Sequence, residues 1–177
     1  MQHTAPVRTA RLSPSRSRLG FGTPLLLLCA LFVASLTSGC SSHEVDSVRE
    51  YKVFLDKAKP SLTAMNKARQ DLYDLSDPDK MAGLFKDQLL KQVDELKKVA
   101  DEQPKPEGKL GDIHASLQAT LLRYDESTRQ LVDHLKSPNE DVREKAILAW
   151  GVDDQKFGKE MTGLVNDLSK YLEDLKQ

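Results

Sequence analysis

From about Val45 onward, apolar residues recur at alternating three- and four-residue steps, which places them on one face of a helix. The first such run extends from about Val45 to Leu75. Its inward stripe is Val48, Tyr51, Leu55, Ala58, Leu62, Met65 and Leu72, with Arg69 interrupting it. Pro60 lies inside this run. It lacks a backbone donor and crowds the preceding turn, which predicts a kink or break near Lys59. Ser76-Asp77-Pro78-Asp79 follows as a stop and a new start. Asp77 suits the N-cap, Pro78 the first helical position, and Asp79 the positive end of the dipole.

A second run reaches about Glu102, with Met81, Leu84, Phe85, Leu89, Val93, Leu96 and Ala100 inward. Lys97 and Lys98 fall near its C-terminal end, where the dipole favours cations. The segment QPKPEGK, residues 103–109, reads as a loop. The third run spans about Leu110 to Lys136 on the stripe Leu110, His114, Leu117, Leu121, Tyr124, Thr128, Leu131 and Leu135. Ser137-Pro138-Asn139-Glu140 reads as a capping box with proline at the first helical position. The fourth run continues to about Lys176 through Val142, Ala146 and Ala149, then Phe157, Met161, Leu164, Leu168, Tyr171 and Leu175. Its spacing slips around Trp150 to Asp154. With Gly151 and Gly158 nearby, that slip predicts a bend or short break.

Strand signals are nearly missing. Four amphipathic helices with short links predict an all-α, up-down-up-down four-helix bundle over residues 45–177, its charged residues forming a solvated outer face. The alternative is a pair of long antiparallel hairpins that need a partner to bury their stripes.

Charge divides the chain in two. Net charge is -1 over 177 residues, yet residues 1–39 hold Arg8, Arg11, Arg16 and Arg18 and no acid. The remaining 22 basic residues face all 27 acidic ones in 40–177, leaving that part at -5. It has no basic bias of the kind that nucleic acid requires. The basic lead is followed by an apolar run, Leu25 to Leu36, about 18 Å long as a helix and short for a ~30 Å bilayer core. Small residues and Cys40 come next, and no Arg-Arg pair marks a twin-arginine route. The residues alone leave several readings open: a secretory signal with a chance cysteine behind its cleavage site, a tilted anchor from Leu19 to Gly39, or a transit peptide.

Leu36-Thr37-Ser38-Gly39-Cys40 after a basic and then apolar lead resembles the lipobox of bacterial lipoprotein precursors. Thr37 stands where that pattern prefers a larger aliphatic residue. The resemblance implies a diacylglyceryl group on the Cys40 thiol, cleavage between Gly39 and Cys40, and acylation of the new amine. It implies a lipidated tether over 40–44. Ser41 in the second mature position implies export to an outer membrane. Cys29 would leave with the signal, so the mature chain has no second thiol for a disulfide or metal.

Catalytic and cofactor signals are sparse. His43 falls in the tether, His114 on the third stripe and His134 at its edge, with no HExxH, Glu-x-x-His or CxxCH pattern. Met65 and a histidine could in principle hold haem between helices, although both residue types at helical spacing are ordinary core. Asp133 and His134 point apart on a helix. Asp153-Asp154 and Asp94-Glu95 read as solvated surface. Trp150, the one tryptophan, reads either as a core ring or as an anchor for a partner. The expected function is a non-enzymatic envelope lipoprotein without a cofactor. It would be held to the membrane by lipid on Cys40 and engage an envelope protein partner. The alternative is a bundle carrying a ligand, metal or haem, with His114 lining the site.

Overall fold

The computed structural model describes residues 42–73, 75 and 77–175. They form an all-α bundle of four helical rods with no strand among the described residues. Helix α1 is Ser42–Tyr73. The second rod consists of α2 (Pro78–Leu84), a π-helical segment (Phe85–Leu90) and α3 (Lys91–Glu102). Helices α4 (Gly108–Leu135) and α5 (Glu140–Asp174) complete the bundle. Each rod packs on the next in chain order, as short turns between antiparallel helices require.

The core forms where the stripes face one another. Tyr51, Met65, Phe85, Leu89, Val93, Leu110, Leu121 and Leu131 are almost wholly buried. Phe54, off the expected stripe, joins them at 2% exposure, whereas Leu55 is only partly buried.

Local chemistry explains the rod ends. Asp77 caps α2 by accepting from the backbone N–H groups of Asp79 and Lys80, with Pro78 at the first helical position as expected. The last turn departs from expectation. Asn139, not Ser137, caps α5, accepting from the Asp141 N–H at 2.9 Å, and Pro138 lies outside the helix. Ser137 is committed elsewhere: its N–H donates to the His134 carbonyl and ends α4, and its own carbonyl accepts from Arg143. Between α3 and α4, Gly108 has φ +59°, open to glycine at no cost. A Cβ on Gly111 would sit 2.3 Å from the Pro106 carbonyl oxygen, so the loop packs directly on the first turn of α4.

Neither expected helix break is present, and α1 already covers residues ahead of Val45. Helix α1 already includes Ser42, the first described residue, so residues 42–44 of the expected tether are helical. Pro60 does not break α1, which runs unbroken through it. Pro60 and Asp56, whose carbonyl loses a donor to the ring, both face solvent, while Ala58 and Leu62 hold the inner face. Likewise α5 is one helix through Trp150–Asp154 and Gly158. Its stripe does not slip: Ala149 is exposed and the inward series is Trp150, Asp154, Phe157, Val165, Leu168 and Leu172.

The second rod has a different irregularity. Met81, Phe85, Leu89 and Val93 are all buried at successive four-residue steps. In an α-helix each such step drifts about 40° off the face, so three accumulate roughly 120°. The wider π turn over Phe85–Leu90 takes up this drift and keeps the stripe inward.

Candidate functional site: the seam between α1 and α5

The seam between the first and last helices carries two different kinds of chemistry. At one level, Arg69 of α1 forks onto Asp154 of α5, Nε to Oδ1 at 2.6 Å and Nη2 to Oδ2 at 2.8 Å. The side chains are 9% and 2% exposed. Tyr124 of α4 donates its hydroxyl to the same carboxylate at 2.7 Å. The guanidinium also donates to Asn66 Oδ1 and lies 5.5 Å from the Phe157 ring centre. Phe157 in turn stacks on Tyr124 at 4.0 Å. A bidentate, fully bonded pair of this kind satisfies both buried charges. Asp154 is therefore not solvated surface, and only its neighbour Asp153 is.

Trp150 sits one turn away on α5. Its Nε1–H donates to Thr128 Oγ1 at 3.2 Å, and its ring meets Phe85 edge-on at 4.7 Å. At 5% exposure it is a core ring that offers no face to a partner. The π segment begins at Phe85, in direct contact with Trp150.

At the other level, from Tyr51 to Asn66 on α1, the seam opens into a narrow apolar slot with a cavity volume of about 60 Å³. Tyr51, Leu55 and Leu62 of α1 form one wall, and Met161, Leu164 and Leu168 of α5 form the other. Leu96 of α3 and Leu117 and Leu121 of α4 form the floor. This opening explains why Leu55, Leu117, Met161 and Leu164, all expected on the inward stripes, are only partly buried.

His114 lies behind the slot and does not line it. It is 1% exposed, its Nε2 bonds the Ala100 carbonyl at 2.9 Å, and its ring stands edge-on to Tyr51 and Phe54. Nδ1 has no hydrogen-bond partner. Burial pushes the imidazole below the usual histidine range, against the smaller opposing effects of the Ala100 carbonyl and Asp101. The ring is thus a neutral Nε2–H tautomer donating to Ala100. Among the described residues, no group of three or more His, Cys, Asp or Glu side chains is placed to hold a metal ion.

A second polar cluster ties α3 to α4. Asp125, 8% exposed, accepts from Lys97 at 2.6 Å and from Arg129 at 2.8 Å, and Arg129 also donates to Asp94 at 2.6 Å. Lys97 thus bonds a carboxylate of the neighbouring helix, and the last turn of α3 holds no basic residue.

Gly39 and Cys40 lie outside the described residues, as does the side chain of His43. No described helix is long and apolar enough to cross a membrane. The seam's residues escape a sequence search because each looks like a fault in its own stripe. The one available signal was that Arg69 and Asp154 are opposite charges at two such faults. No protein-family model matches the chain, and neither a curated protein nor a solved structure does.

Proposed function

We propose that this chain is a lipid-anchored lipoprotein of the bacterial cell envelope, with a non-enzymatic binding, adaptor or structural role. The observation that carries the reading is the order of residues before Cys40: basic, apolar, small, then cysteine. A bundle held by buried ion pairs and aromatic contacts suits a rigid spacer or scaffold better than a flexible carrier. Acyl chains contribute about 0.8 kcal/mol per buried methylene, and two or more hold a protein stably at a membrane without a spanning helix. Helix α1 already includes Ser42, two positions after Cys40 in the sequence, so the bundle would stand close against the membrane. The 103–107 loop and the end of α5 would lie on that side, since Lys109 pairs with Asp174 there. The turns at 77 and 137–139 would face away and meet an envelope protein partner.

Growth with an alkyne-bearing palmitate tests the anchor. The chain is expected to take up the label, and Cys40→Ala to lose it and remain at precursor size. Cross-linking in intact envelopes tests the adaptor role: a partner captured by the parent chain is expected to vanish with Cys40→Ala. A chain that never takes up label, or that is cleaved normally without Cys40, would overturn the lipoprotein reading.

A further inference from the structure

A polar recess of about 300 Å³ lies between α4 and α5. Its floor is the stacked pair Tyr124 and Phe157, two buried rings that fix how far apart the walls stand. Arg123 of α4 reaches across to Glu160 of α5 at 2.8 Å and closes one end. Two contacts set the antiparallel register of the walls: Tyr124 bonds Asp154, and Trp150 bonds Thr128. Glu126 on α4 is therefore level with Asp153 on the facing wall. Lys156 stands one helical step, about 4.5 Å, nearer the Arg123 bridge. Arg123 and Glu160 neutralise each other. Lys156, Glu126 and Asp153 are exposed and form no ion pair among the described residues. The recess thus presents one cation beside two facing carboxylates.

We propose that this recess binds one free amino acid with a basic side chain. The ligand's carboxylate accepts from the Lys156 ammonium, and its two amines donate to Asp153 and Glu126. Charge supports the assignment, because such a ligand carries two cations and one anion, the complement of the three protein groups. Size supports it: the recess has the space of about ten waters at ~30 Å³ each, and lysine has about ten non-hydrogen atoms. Spacing supports it too. The two amines of lysine are about 7 Å apart when extended, and packed helices lie about 8–10 Å apart, so one ligand reaches a carboxylate on each wall. An amino acid with one amine leaves a carboxylate without a partner, and a simple diamine leaves Lys156 without one. The site depends neither on lipid at Cys40 nor on an envelope protein partner.

The test follows amide NMR spectra of the isotope-labelled full chain in detergent micelles while L-lysine is added at constant ionic strength. Shifts are expected at Ser127, Gln130, Asp153 and Lys156, with a Kd in the millimolar range, as three exposed ion pairs give. Norleucine, which lacks the second amine, and 1,5-diaminopentane, which lacks the carboxylate, should each bind about fivefold more weakly. Asp153 and Glu126 are exposed, so Asp153→Asn and Glu126→Gln should keep the helical circular dichroism. Each should weaken lysine binding by up to about fivefold. Lys156→Glu should invert the order and prefer the diamine. Spectra that do not move with lysine, or shifts spread over other charged faces, would overturn the proposal. So would equal binding of norleucine, indifference to Asp153→Asn and Glu126→Gln, or a Lys156→Glu chain that still prefers lysine.

Discussion

Helices α1 and α5 meet in two ways along one seam. Around Arg69 and Asp154 they are joined by a buried, bidentate ion pair with Tyr124 as a third partner. Below Asn66 they face each other across an apolar slot. The contrast shows that a single polar bridge can set how two helices approach. A buried pair adds little net stability over apolar packing, because desolvating the charges offsets their attraction. What it does impose is geometry, since the fork is satisfied in one stagger and one rotation only. Along the slot no such constraint operates, and the two stripes are left with hydrocarbon partly open to solvent.

The largest effect is expected from breaking the bridge on one side. Asp154→Ala leaves Arg69 buried without its partner and removes an acceptor from Tyr124, and should cost about 3–5 kcal/mol in urea unfolding. The double change Arg69→Met with Asp154→Leu removes both charges and should recover most of that loss. If the bridge sets the stagger, the doubly apolar bundle should still be stable but should lose the sharp near-UV signal of Trp150, the single tryptophan. A double variant as unstable as Asp154→Ala would instead assign the cost to packing.

A smaller effect belongs to the slot end. His114 is held below its usual pKa by burial, so the folded chain binds fewer protons than the unfolded one as pH falls below about 6.5. Stability should be full above that pH. Below it, stability should decline by at most about 1.4 kcal/mol per pH unit, until the folded ring itself titrates. His114→Phe should remove this part of the slope, measured as unfolding midpoints from pH 7.5 to 5. The smallest effect is expected at the outer end of the same half, where Lys109 and Asp174 pair while each is about half exposed. Lys109→Ala should change stability by no more than about 1 kcal/mol, and less in high salt.

The two faults in the stripes were legible as faults, not as one feature. Arg69 interrupts the first stripe, and the spacing near Asp154 reads as broken only if an acid is assumed to face out. Counting Asp154 inward makes the α5 stripe continuous, yet that choice requires knowing that Arg69, 85 positions earlier, lies opposite. Pro60 misled for a different reason. Its cost depends on whether the orphaned carbonyl can reach water, and on α1 it can. Ser137 and Asn139 are both good caps, but the Ser137 hydroxyl accepts from the Asn139 N–H and the Asn139 side chain accepts from the Asp141 N–H, so Asn139 is the cap of α5. The slot between α1 and α5 left no trace beyond Leu55, Met161 and Leu164, which read as ordinary core.

By itself the sequence determined the helical class, the four rods, the turns between them and most of the buried stripe. Those properties depend on residues three and four apart, whose relation is contained in the local chain. Tertiary structure alone decided which charge Arg69 meets, where the π turn relieves the stripe of the second rod, and that α1 and α5 part below Asn66. These depend on the rotation and stagger of whole helices against one another, which no local spacing encodes.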